Sequence, residues 1–280
     1  MPPQVLGRFR AVVNAAVEDL AAHGFDSQER LQRWLREIDA AARTALVPEA
    51  VLAQTLRDAL GRVFRRTTGR AQLLRRHPGV SPFTLAQVAP RLRAELDRRI
   101  LASADLIRLN REASIRRTLQ RFAGWASSVP AGGSDVAERA AARLIVKRGI
   151  AALPFEERRV IVDQGHKLAA AVNEIIATDG GAIAGVWKHV LEANYDARPE
   201  HEARDGTIFV VRDNWALKDG LMKLAGAQYT DQIEQPGELV YCRCHYQFIY
   251  ALRSLPERML TAKGRMKLRE AHEQIAEMRA

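Results

Sequence analysis

The sequence predicts a mainly α protein: an elongated basic helical N-terminal part, then a small α+β module with a short β-sheet and a C-terminal helix. Three observations lead there. Apolar residues recur at three- and four-residue spacing through residue 128 with few interruptions. Past Gly181 the texture changes to short runs of aromatic and β-branched residues, the composition of strands. Charge is also divided: residues 1–150 carry 26 Lys and Arg against 14 Asp and Glu, whereas residues 151–280 carry 17 against 19.

Along the chain, Val12, Val13, Ala16, Val17 and Leu20 mark one helix face, with Gly24 as its stop. Ser27 caps a second helix through Leu31, Trp34, Leu35 and Ile38, which Pro48 breaks. Glu49 opens a third through Leu52, Leu56, Leu60 and Phe64, and Arg75 to Gly79 reads as a loop. Ser81 or Thr84 caps the next helix, with Pro90 in its first turn and Leu92, Leu96, Ile100, Ile107, Ile115, Leu119 and Phe122 as apolar positions. From 90 to 122 such a helix is on the order of 50 Å long, which fits an arm, a hairpin or a strut in a larger assembly.

The Ser-, Pro- and Gly-rich stretch that follows places a linker at 129–134. A helix is expected from Asp135 to Gly149 and another from Pro154, ended by Thr178 to Gly181. Ile208 to Val211 reads as a strand. Leu239 to Tyr250 reads as a second, with Val240, Cys242, Cys244, Tyr246, Phe248 and Tyr250 on one face by the period of two. Pro256 to Ala280 is a charged helix. The expected division is therefore a basic helical domain at 1–128 with a long helix near 85–125, a linker at 129–134, a module at 135–255 and a terminal helix at 256–280.

The composition is globular, 47% hydrophobic and 27% charged over 280 residues. No apolar run approaches the roughly 20 residues a bilayer span requires, and the first residues show no apolar signal region, so a cytosolic, membrane-free protein is expected. Cys242 and Cys244 are the only cysteines, too few and too close for a disulfide framework.

The basic half is nearly all arginine, with pairs at Arg65 and Arg66, Arg75 and Arg76, Arg98 and Arg99, and Arg116 and Arg117. These are either solvated helix faces or contacts to a polyanion. The polyanion is then duplex DNA gripped through its phosphates without sequence specificity, or an acidic protein rim. Few aromatics lie among them, which argues against stacking on single strands.

The last third carries an ordered motif set. Trp187 is followed by Arg198, His201, Asp205 and Gly206 in Arg-x-x-His-x-x-x-Asp-Gly spacing, then a strand, an insert, Pro236-Gly237-Glu238 and Cys242-Arg243-Cys244. Over roughly residues 150–250 this resembles the phage Mu F-like head-morphogenesis family, which includes minor head proteins of tailed phages. The sequence departs from the family pattern at Arg204, where an apolar residue is usual. The resemblance implies a low-copy structural head component that is made in the host cytoplasm. It would act in procapsid assembly near the portal vertex, with the portal and other head proteins as partners, packaged double-stranded DNA as a further one, and a link to DNA delivery in some members.

Several chemistries remain open for these residues. Cys242 and Cys244 can hold a metal, zinc above all, with His201 as third ligand and Asp205 as fourth, His245 ranking lower because it falls on the opposite strand face. Alternatively the cysteines are small buried residues under a sheet. Arg198, Arg243, Asp205 and His201 can form a polar network that fixes the loop after Trp187. His201, Glu202, Asp205 and the cysteines also contain pieces of a hydrolase or metal-dependent nuclease site, but no complete catalytic set, so no catalytic residue and no enzyme activity is expected. The leading expectation is thus a structural head protein. The alternatives are a DNA-binding internal or ejection protein acting through its basic half, and a metal-dependent hydrolase or nuclease.

Overall fold

The computed structural model describes residues 3–130, 133, 136–190 and 198–278. It is mainly helical with one small antiparallel sheet, as the sequence predicts. The chain forms two compact units, each assembled from two stretches: residues 1–58 with 100–161, and residues 59–99 with 162–280. The expected division runs in series along the chain; the observed boundaries fall inside long helices instead.

The first unit is a helical bundle. It contains α1 (Pro3–His23), α2 (Gln28–Ala45), the start of α3 (Glu49–Thr67), the later part of α5 (Pro82–Ser128) and the earlier part of α6 (Val136–Asp179). Gly24 ends α1 in the left-handed region, φ 72°, its N–H on Leu20 O. Ser27 caps α2 by accepting the Arg30 N–H. Phe9, Val13, Val17 and Leu20 meet Leu31 and Ile38, Ile115 and Phe122, and Val146 and Ile150 in one core fed by four helices. Gly149 allows α6 to approach α5, since a Cβ there would lie 3.0 Å from Thr118 Oγ1. One buried ion pair crosses this unit: Arg111 Nε donates to Glu157 at 2.7 Å and Nη1 to Val47 O at 3.0 Å.

Three helix expectations need correction. α5 starts at Pro82, not near Pro90, because Ser81 Oγ accepts the Thr84 N–H and Pro82 fills the first-turn position that tolerates a missing N–H. Pro90 then lies inside the helix and forgoes one backbone bond there. Likewise α6 does not break between Gly149 and Pro154; buried Ile150 and Leu153 hold the helix against the core on the N-terminal side of the proline. Finally, Arg75 and Arg76 close a helix, α4 (Arg70–Arg76), and the loop begins at His77. Of the expected linker, residues 131, 132 and 134 lie outside the described residues, as does Asp135; the flanking Ala126 and Ala142 belong to the same core, so the segment joins two helices of one unit.

The second unit contains the sheet. β1 (Ala184–Lys188) is central between β2 (Ile208–Val210) and β3 (His245–Ile249), both antiparallel to it. Both faces are covered. Ala184, Val210 and Ile249 pack with α8 (Trp215–Lys218) through Ala216 and with Leu252, Met259 and Leu260. Trp187, Phe209, Tyr246 and Phe248 pack on the other face with Ala177 of α6. α9 (Ala262–Glu277), capped by Thr261, closes the chain.

The expected strand at Leu239 to Tyr250 is shorter than predicted. It pairs only from His245, opposite Lys188, because β1 offers no partner beyond that residue. Upstream the chain turns: Tyr241 sits at φ 60° and gives its N–H to Asp163 at 2.6 Å. Val240 is therefore exposed and leaves the face on which the alternation places it.

Candidate metal centre

The two halves of the motif set converge in the second unit. Trp187, near the end of β1, is fully buried, its ring edge-on to His201 and Tyr246. Pro199 starts α7 (Pro199–Ala203), which carries buried His201 toward the same place. The turn that follows is closed by Gly206, at φ 76°, whose N–H bonds Trp187 O at 2.9 Å. Asp205 Oδ1 accepts the His189 N–H at 2.8 Å. The aspartate thus fixes the chain leaving β1 and does not join the ligand group.

The second half-motif builds a thiolate pocket. Pro236 leads into a turn in which the Glu238 N–H bonds Gln235 O and the Glu238 carboxylate takes the Gln235 N–H. Gly237 adopts φ 84° and packs on Ala170, where a Cβ would come within 2.8 Å. Its N–H points at Cys242 Sγ, 3.3 Å away. Arg198 joins the half-motifs by donating to Val240 O at 2.9 Å. Arg198 and Asp205 thus each bind a backbone group here.

At the centre, His201 Nδ1 lies 3.4 Å from Cys242 Sγ and 3.6 Å from Cys244 Sγ. The three ligand atoms are buried and within 4.8 Å of one another, so the group can hold a metal ion. His189, which no sequence signal singles out, touches Cys244 Sγ from just beyond the end of β1, with Nδ1 at 3.6 Å. On its far side His201 Nε2 faces Glu234 at 3.7 Å, and Arg204, against the same carboxylate at 3.9 Å, lies over the Trp187 ring. This gives Arg204 an apolar partner at the position where the family pattern has an apolar residue.

The sulfurs share their protons unequally. The hydrogen bond with Cys244, helped by the Gly237 N–H, pulls Cys242 down, while the same bond and burial push Cys244 up. A thiolate is the form that binds metal. His245 faces elsewhere, and burial and then Arg76 hold it down at about 4.

The candidate arginines have unlike settings. Arg98 and Arg99 both grip Glu95, Arg117 reaches Ser114, and Arg65 and Arg116 are exposed. Arg66, Arg75, Arg76 and Arg243 line a cleft in the second unit. Charge likewise fails to separate by unit: the first holds 18 Lys and Arg against 14 Asp and Glu, the second 25 against 19.

Comparison with family models, with curated proteins and with solved structures finds no match to this chain. Among the described residues no helix is long and apolar enough to cross a membrane.

Proposed function

We propose that this chain is a structural head protein of a tailed bacteriophage, acting in procapsid assembly near the portal vertex, and that its C-terminal module is locked by zinc. The observation that carries this reading is the convergence of the ordered motif residues, 187 to 244, on one buried centre. The motif residues around that centre are supports. Gly206 and Gly237 turn the chain, Asp205 and Arg198 tie loops, and Trp187 fills the core. Such a division of labour favours a structural centre over a catalytic one.

Zinc fits the donor set, two thiolates and an imidazole. With ordinary zinc–sulfur and zinc–nitrogen bonds, the sulfur-to-nitrogen edge of a tetrahedron is roughly 3.5 Å. The His201 contacts of 3.4 and 3.6 Å match that edge. Glu234 faces His201 Nε2 at 3.7 Å, too far for a hydrogen bond, so it stands near the position of an orienting carboxylate without making that bond. His189 touches Cys244 Sγ at 3.6 Å but lies outside the group of three whose ligand atoms all fall within 4.8 Å of one another, so it is not assigned as a fourth ligand.

The functional reading is tested by purifying procapsids and virions from a producing host and probing them for this chain together with the portal. Co-purification is expected. Absence from both particles would overturn the head assignment.

A further inference from the structure

The back of the Cys-Arg-Cys turn faces a cleft of about 360 Å³. Its walls are the end of α3 (Arg66, Thr67), α4 (Gln72, Arg75, Arg76), α6 (His166, Asn173) and the turn itself with Arg243. Four arginines line it, Arg243 with an interaction of its own, and among the described residues no carboxylate does. This follows from the local sequence: residues 59–99 hold ten arginines against two acidic residues.

Some arginines of the unit are neutralised by a carboxylate, as Arg98 and Arg99 are by Glu95 and Arg212 by Asp231. Arg66, Arg75 and Arg76 have no ion pair among the described residues. Asp163 is committed to Lys167 and the Tyr241 N–H, and Glu174, whose carboxyl pKa is pushed up by burial, lines a small adjoining cavity that Arg76 also borders. Arg76 is half-buried, and burial and then Arg75 beside it lower its basicity. Like charges gathered in a half-enclosed space are unfavourable unless an anion joins them.

The walls are stiff. Buried His77 bridges Asn173 Oδ1 at 2.9 Å and the Tyr250 hydroxyl at 2.6 Å, and Asn173 Nδ2 donates to Ala169 O, which fixes the loop after α4 to α6 and to the chain after β3. Burial keeps this histidine neutral by lowering its pKa. The arginines therefore converge on a preformed space.

We propose that this cleft binds a phosphate-bearing anion through the forks of Arg66, Arg75 and Arg76, with Arg243 contributing from the turn. Guanidinium pairs match phosphate oxygens bidentately, and the cleft volume is at the small end for ligand sites. The phosphate is either a free polyphosphate or a phosphodiester backbone.

The test is calorimetric titration of the full chain with inorganic tripolyphosphate and separately with a short DNA duplex. Saturable tripolyphosphate binding is expected, weakened at least tenfold in Arg75→Gln/Arg76→Gln. It should be weakened less in the single variant Arg66→Gln, whose exposed position keeps folding out of question, and unchanged in Arg93→Gln, an exposed arginine outside the cleft. If the duplex binds with the same arginine dependence, the ligand is nucleic-acid backbone; if it does not, the ligand is a free anion. No saturable binding of either probe, or equal loss in Arg93→Gln, would overturn the proposal.

Discussion

The helical unit and the sheet-containing unit share the long helices α3, α5 and α6, yet different chemistry holds them. In the first, a four-helix core of Val, Leu, Ile and Phe does most of the work, with the Arg111–Glu157 pair and a few buried hydroxyls, Ser103, Ser114 and Thr118, as polar members. In the second, three short strands depend for stability on apolar packing against their faces. They are supported on one face by aromatic rings and a His–Cys–Cys centre, and on the other by a loop-rich apolar layer. The difference teaches that distributed packing tolerates local loss, whereas a module built on a few buried polar contacts depends on each.

That contrast can be broken from either side. The largest effect is expected for Trp187→Ala, which empties the space between His201, Phe209 and Tyr246 and should cost about 3–5 kcal/mol in denaturant unfolding of the sheet-containing unit. Gly185→Ala comes next. Its Cβ would meet the Tyr246 ring at 2.9 Å, and that ring is wedged against Trp187, Phe209 and Phe248, so a loss of about 1–3 kcal/mol should appear in the thermal midpoint. In the helical unit, Ser27→Ala removes only the cap of α2 and should cost about 1 kcal/mol by the same measurement. Arg43→Gln breaks the exposed bidentate pair with Glu112 and a second contact to Asp39; a change under about 1 kcal/mol is expected, shrinking with added salt. Equal costs for Trp187→Ala and Ser27→Ala would erase the contrast.

Legibility follows the same boundary. The helices of the first unit can be read from periodicity and from Ser27 and Gly24, because a long amphipathic face repeats its signal many times. The interior prolines read as boundaries and are not, since packing at Ile150 and Leu153 outweighs one missing backbone bond. The central strand β1 escapes notice because Gly185 weakens a strand pattern, and the reason for that glycine is a ring on another strand. At the site, His201, Cys242 and Cys244 are legible from sequence, but Asp205 reads as a ligand when it binds a backbone N–H. His189 is invisible because nothing in its spacing distinguishes it; only the turn made by Asp205 and Gly206 brings it to Cys244. The cleft is equally hidden, since the arginine pairs look alike until Glu95 claims one pair and leaves another unpaired.

The central claim is that the motif residues form a zinc-locked centre, and metal analysis of the purified full chain tests it most directly. About one zinc per chain is expected, lost in Cys242→Ser and His201→Ala, with chelation lowering the melting temperature of the sheet-containing unit while the helical unit keeps its circular dichroism. A metal-free chain that is fully folded, and whose melting is unchanged by added zinc or by chelator, would contradict it.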